Sequence, residues 1–193
     1  MKRHKYIYLI FIFITFIFPN FIYGQIDKID CFHLYDIIHK EKKVPNIPLT
    51  IFFQHNEGKY RKEIKNKNID TIKKIVLVMD NIYDNNKKNY NYINKVEYFL
   101  YKFFLTSKYS TSESIKSAKS YLFLTYKIVN ESKKNSKIKL TGSYDIREQM
   151  VKRLNEYYKV KEQKSLDQNL KYWETIILND KELKVNSDLN NLF

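Results

Sequence analysis

The chain has 193 residues, 44% of them hydrophobic and 29% charged, with a formal net charge of +14. That length suits a single domain with one core. Its single cysteine excludes an internal disulfide, and its three glycines exclude a P-loop or a dinucleotide fingerprint.

Met1 to Lys5 is a short positive head, and Tyr6 to Phe18 is apolar apart from Thr15. Pro19-Asn20 interrupts the run, and Phe21-Ile22-Tyr23-Gly24 leads to Gln25. A charged start, an apolar middle, a breaker and a small residue make the layout of a secretory signal, with the cut expected after Gly24. The competing reading keeps Tyr6 to Tyr23 as a membrane anchor. A spanning helix wants about 20 apolar residues, and Pro19 and Asn20 would then lie inside the bilayer. Cleavage is therefore expected. The product is a secreted or periplasmic protein, the alternative being a membrane-anchored one with its helical domain outside.

Cutting after Gly24 leaves 169 of the 193 residues and removes Lys2, Arg3 and Lys5, which lowers the formal charge from +14 to +11. A basic exported domain suits anionic partners. Only Arg3, Arg61, Arg147 and Arg153 are arginines. Phosphate recognition favours arginine's planar fork, so nucleic acid is not the expected partner. Abundant lysine, asparagine, isoleucine and tyrosine are also what an AT-rich genome writes, and part of the charge has that origin.

Ile26 to Lys40 predicts a first helix, ended by Pro45 and Pro48. Leu49 to Phe53 is an apolar run compatible with a strand or a helical turn, and Asn56-Glu57-Gly58 predicts a turn. Helical spacing returns at Ile69, Ile72, Ile75, Val76, Met79, Ile82 and Tyr83. Asp84 to Asn91 is a polar loop. Tyr92, Val96, Phe99, Leu100, Phe103 and Phe104 form the next stripe, and the apolar Tyr98, Tyr101 and Leu105 outside it predict a central helix. Ser110 and Glu113 have capping-box spacing before Ile115, Ala118, Leu122, Thr125, Tyr126 and Val129. Glu131 to Lys139 is a charged loop. Gly142-Ser143 opens a helix through Ile146, Met150, Leu154, Tyr157 and Tyr158. Ser165 and Gln168 cap another, with Leu166, Leu170, Trp173, Ile176 and Ile177, which Asn179-Asp180 ends. The tail beyond is polar apart from Leu183, Val185, Leu189, Leu192 and Phe193.

Cys31, His33, His39 and His55 lie within one short stretch, the only local concentration of metal-binding and catalytic side chains in the chain after Gly24. Cys31 and His33, the candidate metal ligands, lie about 200° apart on a helix and point away from each other. His33 and Asp36 are spaced to hydrogen bond, which suits either a general base or a surface pair. A hydrolase or metal-dependent enzyme would use His33, Asp36, His39 and His55. Aromatics interleaved with lysines stack sugar rings or bases, and Lys95, Tyr98, Tyr101, Lys102, Tyr157 and Tyr158 are the candidate binding residues. Asn130-Glu131-Ser132 matches the glycosylation acceptor pattern.

These observations predict an all-α protein, an antiparallel helical bundle or stacked helical hairpins of the α-solenoid kind. Residues 1–24 are the signal, 25–180 the helical domain and 181–193 a tail. The expected function is non-enzymatic binding, to a protein partner or an anionic envelope polymer, with no cofactor. Membrane contact is expected only if the signal segment is retained.

Overall fold

The computed structural model describes residues 29–41, 44, 46–134, 144–186 and 189. The signal segment with its cut after Gly24, the helix start at Ile26 and the Gly142-Ser143 opening lie outside the described residues. Among the described residues there are nine helices and no strand: α1 Cys31–Glu41, α2 Leu49–Lys59, α3 Arg61–Lys65, α4 Ile69–Asn86, α5 Tyr92–Thr106, α6 Thr111–Lys134, α7 Tyr144–Tyr158, α8 Leu166–Leu178 and α9 Lys181–Val185. The fold is an all-α helical bundle.

Short polar side chains start most of these helices by accepting from amides that have no helical partner. Asp30 Oδ1 accepts from the amides of Phe32 and His33 at 3.0 and 3.2 Å. Asn68 caps α4 through the Thr71 amide and Asn91 caps α5 through the Asn94 amide. Ser110 and Ser165 accept from the amides of Glu113 and Gln168, each at 3.3 Å. Glu113 does not complete its capping box in the predicted way, because its carboxylate accepts from the Tyr109 hydroxyl at 3.0 Å. Two helices end on lysines in the left-handed region, Lys67 at φ 56° and Lys159 at φ 53°. After α3 the Asn68 amide reaches the Glu63 carbonyl, and after α7 the Val160 amide reaches the Asn155 carbonyl, the bonds of a Schellman stop.

The helices enclose two apolar clusters that meet at α5. Leu34 and Ile38 of α1, Leu49 and Phe52 of α2, and Ile72, Ile75, Met79 and Ile82 of α4 fill the first, with Tyr98 and Leu105 from α5. Phe103 of α5, Leu122 and Tyr126 of α6, Met150 and Leu154 of α7, and Trp173 and Ile177 of α8 belong to the second. Phe99 packs against both clusters. α5 and α6 form the most extensive helix pair, joined by a tight turn at 107–110. α6 is buried on every side from Ser120 to Tyr126. Its buried hydroxyls bond back to their own helix, Ser117 to the Glu113 carbonyl and Thr125 to the Leu122 carbonyl.

Several boundaries differ from the sequence reading. Leu49 to Phe53 is the first part of a helix, and Asn56-Glu57-Gly58 continues it instead of turning. The cause is Asn56, fully buried, which makes three bonds, one within α2 and two that hold α2 against the start of α1. Its Oδ1 accepts from the Cys31 amide at 2.7 Å, and its Nδ2 donates to the carbonyls of Ile29 and Phe52 at 2.9 and 2.8 Å. α4 runs on to Asn86, whose buried Nδ2 bonds the Ile82 carbonyl. α6 continues to Lys134, past the start of the expected loop. Beyond Asp180 the chain folds back: Asp180 caps α9 and pairs with Lys119 of α6, and Leu183 and Leu189 enter the second cluster.

Two substitutions in α2 have opposite expected effects. Gly58 is exposed, and a Cβ added there meets nothing within 4 Å. Gly58→Ala should stabilise the protein by about 0.5–1 kcal/mol through the entropy of the unfolded chain. Asn56→Ala orphans the Cys31 amide and the Ile29 carbonyl, at about 1–3 kcal/mol per group, so a loss of about 2–6 kcal/mol is expected. Urea denaturation of both variants checks the two signs.

Candidate functional site

The residues of the 31–55 stretch do not converge. Cys31 is fully buried in the first cluster, while His33 is exposed on the other side of α1. Asp36 is exposed and lies 3.8 Å from Lys40. His39 stacks on Tyr35 with centroids 4.0 Å apart, and its Nδ1 lies 3.0 Å from the Tyr35 carbonyl. His55 is half-buried on α2, and its Nε2 makes no hydrogen bond among the described residues. Among the described residues no three histidine, cysteine, aspartate or glutamate side chains come together around a point that a metal ion could occupy.

What does converge near Cys31 is a polar knot that ties α1 to α2. Asp30, with little exposed surface, receives the Tyr60 hydroxyl at 2.7 Å and the Lys59 ammonium at 2.8 Å. Burial pushes the Asp30 carboxyl up, but the bonds from Lys59, Tyr60 and the His33 amide outweigh it and hold it below its ordinary value. Burial, followed by the Asp30 charge, pushes the Cys31 thiol up to about 12. A thiol so placed is an inert apolar side chain, since the thiolate is the reactive form.

The candidate binding residues divide between the interior and the surface. Lys95 and Tyr98 are buried. Tyr98 donates to Asp80 of α4 at 2.8 Å, and Lys102 donates to the other oxygen of Asp80 at 2.7 Å. Burial pushes the Asp80 carboxyl up, and although Lys102 and Tyr98 pull it down, it stays above its ordinary value. Tyr83 stacks face to face on Tyr98 at 3.7 Å, and Phe53 stacks on Tyr101 at 3.6 Å. Tyr98, Tyr101 and Lys102 thus join α5 to α4 and α2.

Tyr157 and Tyr158, by contrast, lie on the surface, 45% and 47% exposed. They begin a row of rings at the end of α7. Tyr157 meets Tyr158 at 5.0 Å, Tyr158 meets Trp173 at 5.6 Å, and Trp173 meets Tyr172 at 5.6 Å between centroids. Trp173 is buried and its Nε1 donates to Asn155 Oδ1 at 2.7 Å. Asn155 in turn donates to Asn169 Oδ1 at 3.2 Å, which also accepts from the Gln163 amide at 3.0 Å. Asn169 Nδ2 donates to the Ser165 carbonyl at 3.1 Å, so two carboxamides fix the 160–165 connector.

The held connector leaves an open groove against α7. One part, about 400 Å³, is bordered by Lys152, Asn155, Lys159 and Lys161. An adjoining part of about 200 Å³ shares Lys152, Asn155 and Glu162 and adds Lys164, Gln163 and Ser165. Sequence reasoning found Tyr157 and Tyr158 but missed Tyr172 and the two asparagines. Tyr172 was legible as the neighbour of Trp173 on the outer side of the α8 stripe. The asparagines are polar residues on a helix, and nothing in the sequence marks them as buried.

Asn130 of the glycosylation pattern lies within α6 and donates to Glu174 of α8 at 3.3 Å. No protein-family model, curated protein or solved structure matches the chain.

Cys31 supplies a direct check on the polar knot. The native protein should resist iodoacetamide at mildly alkaline pH and take up one equivalent in concentrated guanidinium. Rapid alkylation of the folded chain would contradict the burial and the raised thiol.

Proposed function

We propose that this chain is an exported, non-enzymatic binding module that engages an anionic partner through the outer surface of its helical bundle. The observation that carries the reading is the contrast between its two classes of polar residue. Asp80, Tyr98 and Lys102 bond to one another, Asp30 bonds Tyr60 and Lys59, and Asn56 bonds the Cys31 amide, all across helix contacts, whereas the half-exposed Tyr157 and Tyr158 precede Lys159 at the end of α7. Exposed tyrosine is a low-entropy contact residue and is enriched at binding surfaces. The formal charge of +11 after Gly24 selects an anionic partner.

Export rests on the charged, apolar and breaker layout of residues 1–24. Among the described residues no helix is long and apolar enough to cross a membrane. The sharing of α5 by two helix groups supports describing the bundle as stacked hairpins.

Column retention of the secreted chain tests this reading. On a polyanionic resin the protein should be held at low salt and eluted as salt rises, with no retention on the neutral polymer. Mass spectrometry of the same material should find an N-terminus at Gln25 or its cyclised form. Flow-through at low salt would refute the anionic partner.

A further inference from the structure

We propose that Tyr83 of α4 and Tyr98 of α5 form a site of oxidative cross-linking, at which a one-electron oxidant joins the two rings as an intramolecular dityrosine. The inference is independent of the anionic-partner reading.

Three features of the site bear on this chemistry. The rings of Tyr83 and Tyr98 stack face to face, with centroids 3.7 Å apart and planes 6° from parallel. Their carbons are therefore in van der Waals contact, and a bond between them needs only a small slide of one ring over the other. Both side chains are buried, at 4% and 5% exposure, so a radical formed on one ring meets the other ring before it meets a solute. The third feature is a base. Tyr98 Oη donates to Asp80 Oδ1 at 2.8 Å, while Lys102 Nζ donates to Asp80 Oδ2 at 2.7 Å and to Tyr98 Oη at 3.1 Å. Burial, followed by the Asp80 charge, pushes the Tyr98 phenol up, so Tyr98 stays protonated until it is oxidised and loses its proton with its electron. Burial also pushes the Asp80 carboxyl up, which makes the carboxylate a stronger proton acceptor than an ordinary one.

An oxidant of the one-electron class, a trivalent ruthenium complex or a peroxidase-generated radical, takes one electron from each phenol. The Tyr98 proton passes to Asp80, which hands it to water, and the Tyr83 proton goes to water. The two phenoxyl radicals form one carbon–carbon bond through ring positions ortho to their oxygens. The hydrogen on each joined carbon then shifts to the phenol oxygen as the rings regain aromaticity. The pair has lost two electrons and two protons, and the oxidant has gained the two electrons. The new bond fixes α4 to α5, the helix that contributes to both apolar clusters.

Other ring contacts are less suited to coupling. Tyr83 meets Tyr90 at 5.8 Å with planes 51° apart, and Tyr157 meets Tyr158 edge-on at 87°. Phe53 and Tyr101 stack at 3.6 Å, but phenylalanine has no phenolic proton to lose.

The dilute intact chain is oxidised with photogenerated tris(bipyridyl)ruthenium(III), persulfate taking up the electrons, and the monomer is isolated by gel filtration. It should show dityrosine fluorescence, and its digest should contain a Tyr83–Tyr98 peptide pair lighter than its two parts by two hydrogens. Tyr83→Phe and Tyr98→Phe keep a ring in each place and should each abolish that product, whereas Tyr101→Phe should form it as the parent does. Asp80→Asn should slow its formation at least about tenfold with unchanged circular dichroism. In the parent, heavy water should slow it too, a readout of the coupled proton that needs no substitution. A monomer without the Tyr83–Tyr98 pair, or with its dityrosine chiefly between other residues, overturns the site. So does a Tyr98→Phe variant with the parental yield of dityrosine. A rate unchanged in heavy water, or in folded Asp80→Asn, overturns the part assigned to Asp80.

Discussion

The two halves of this bundle are joined because α5 contributes to both apolar clusters. Tyr98 and Leu105 belong to one apolar cluster and Phe103 to the other, while Phe99 touches both. A fifteen-residue helix in that position cannot be apolar all round, because it carries Lys95 and Lys102 as well. Burying an ammonium is costly unless a carboxylate meets it. Asp80 of α4 does so for Lys102, and Tyr98 gives Asp80 a second bond. The raised Asp80 carboxyl registers what remains of the cost. Charge on α5 is therefore part of the partition between the clusters, and lysine content overstates the charge available to a partner.

The same economy of polar groups appears at the ends of the two helix groups. Asparagine can accept and donate at once, so one side chain can satisfy a broken helix end and a neighbouring strand of backbone together. Asn56 does this for the start of α1, and Asn169 does it for the connector before α8. Asn68 and Asn91 cap helices in the ordinary way. A composition rich in asparagine and poor in glycine is consistent with this division of work. It also leaves Lys67 and Lys159 in left-handed positions where glycine is the usual occupant.

Legibility from the sequence followed the strength of the periodic signal. The stripes of α4, α5, α7 and α8 were readable because apolar residues recur there at three and four. α2 was not, since Asn56 and Gly58 carry turn signals that a buried tertiary bond overrides. The depth of α6 was hidden as well: Ser114, Ser117 and Ser120 are polar residues near Glu113, Lys116 and Lys119, yet all three are buried. At the candidate site Tyr157 and Tyr158 were legible as aromatics next to lysines, though not as exposed ones. The division of the tyrosines into surface and interior was not, because Tyr98 and Tyr158 have similar neighbours in sequence. Only the presence of Asp80 and Tyr83 on a facing helix separates them.

That division bears on how the positive charge should be weighed. Compositional drift sets residue frequencies, and it accounts for lysine in the left-handed position at Lys67 without reference to any partner. It acts position by position and carries no information about three-dimensional neighbours. The row from Tyr157 to Tyr172 depends on such neighbours: the indole between the tyrosines is oriented by Asn155, which is itself oriented by Asn169. Asn155 and Asn169 also line the groove that Lys152 and Lys164 border. Geometry rather than net charge thus distinguishes the α7–α8 end from the rest of the surface.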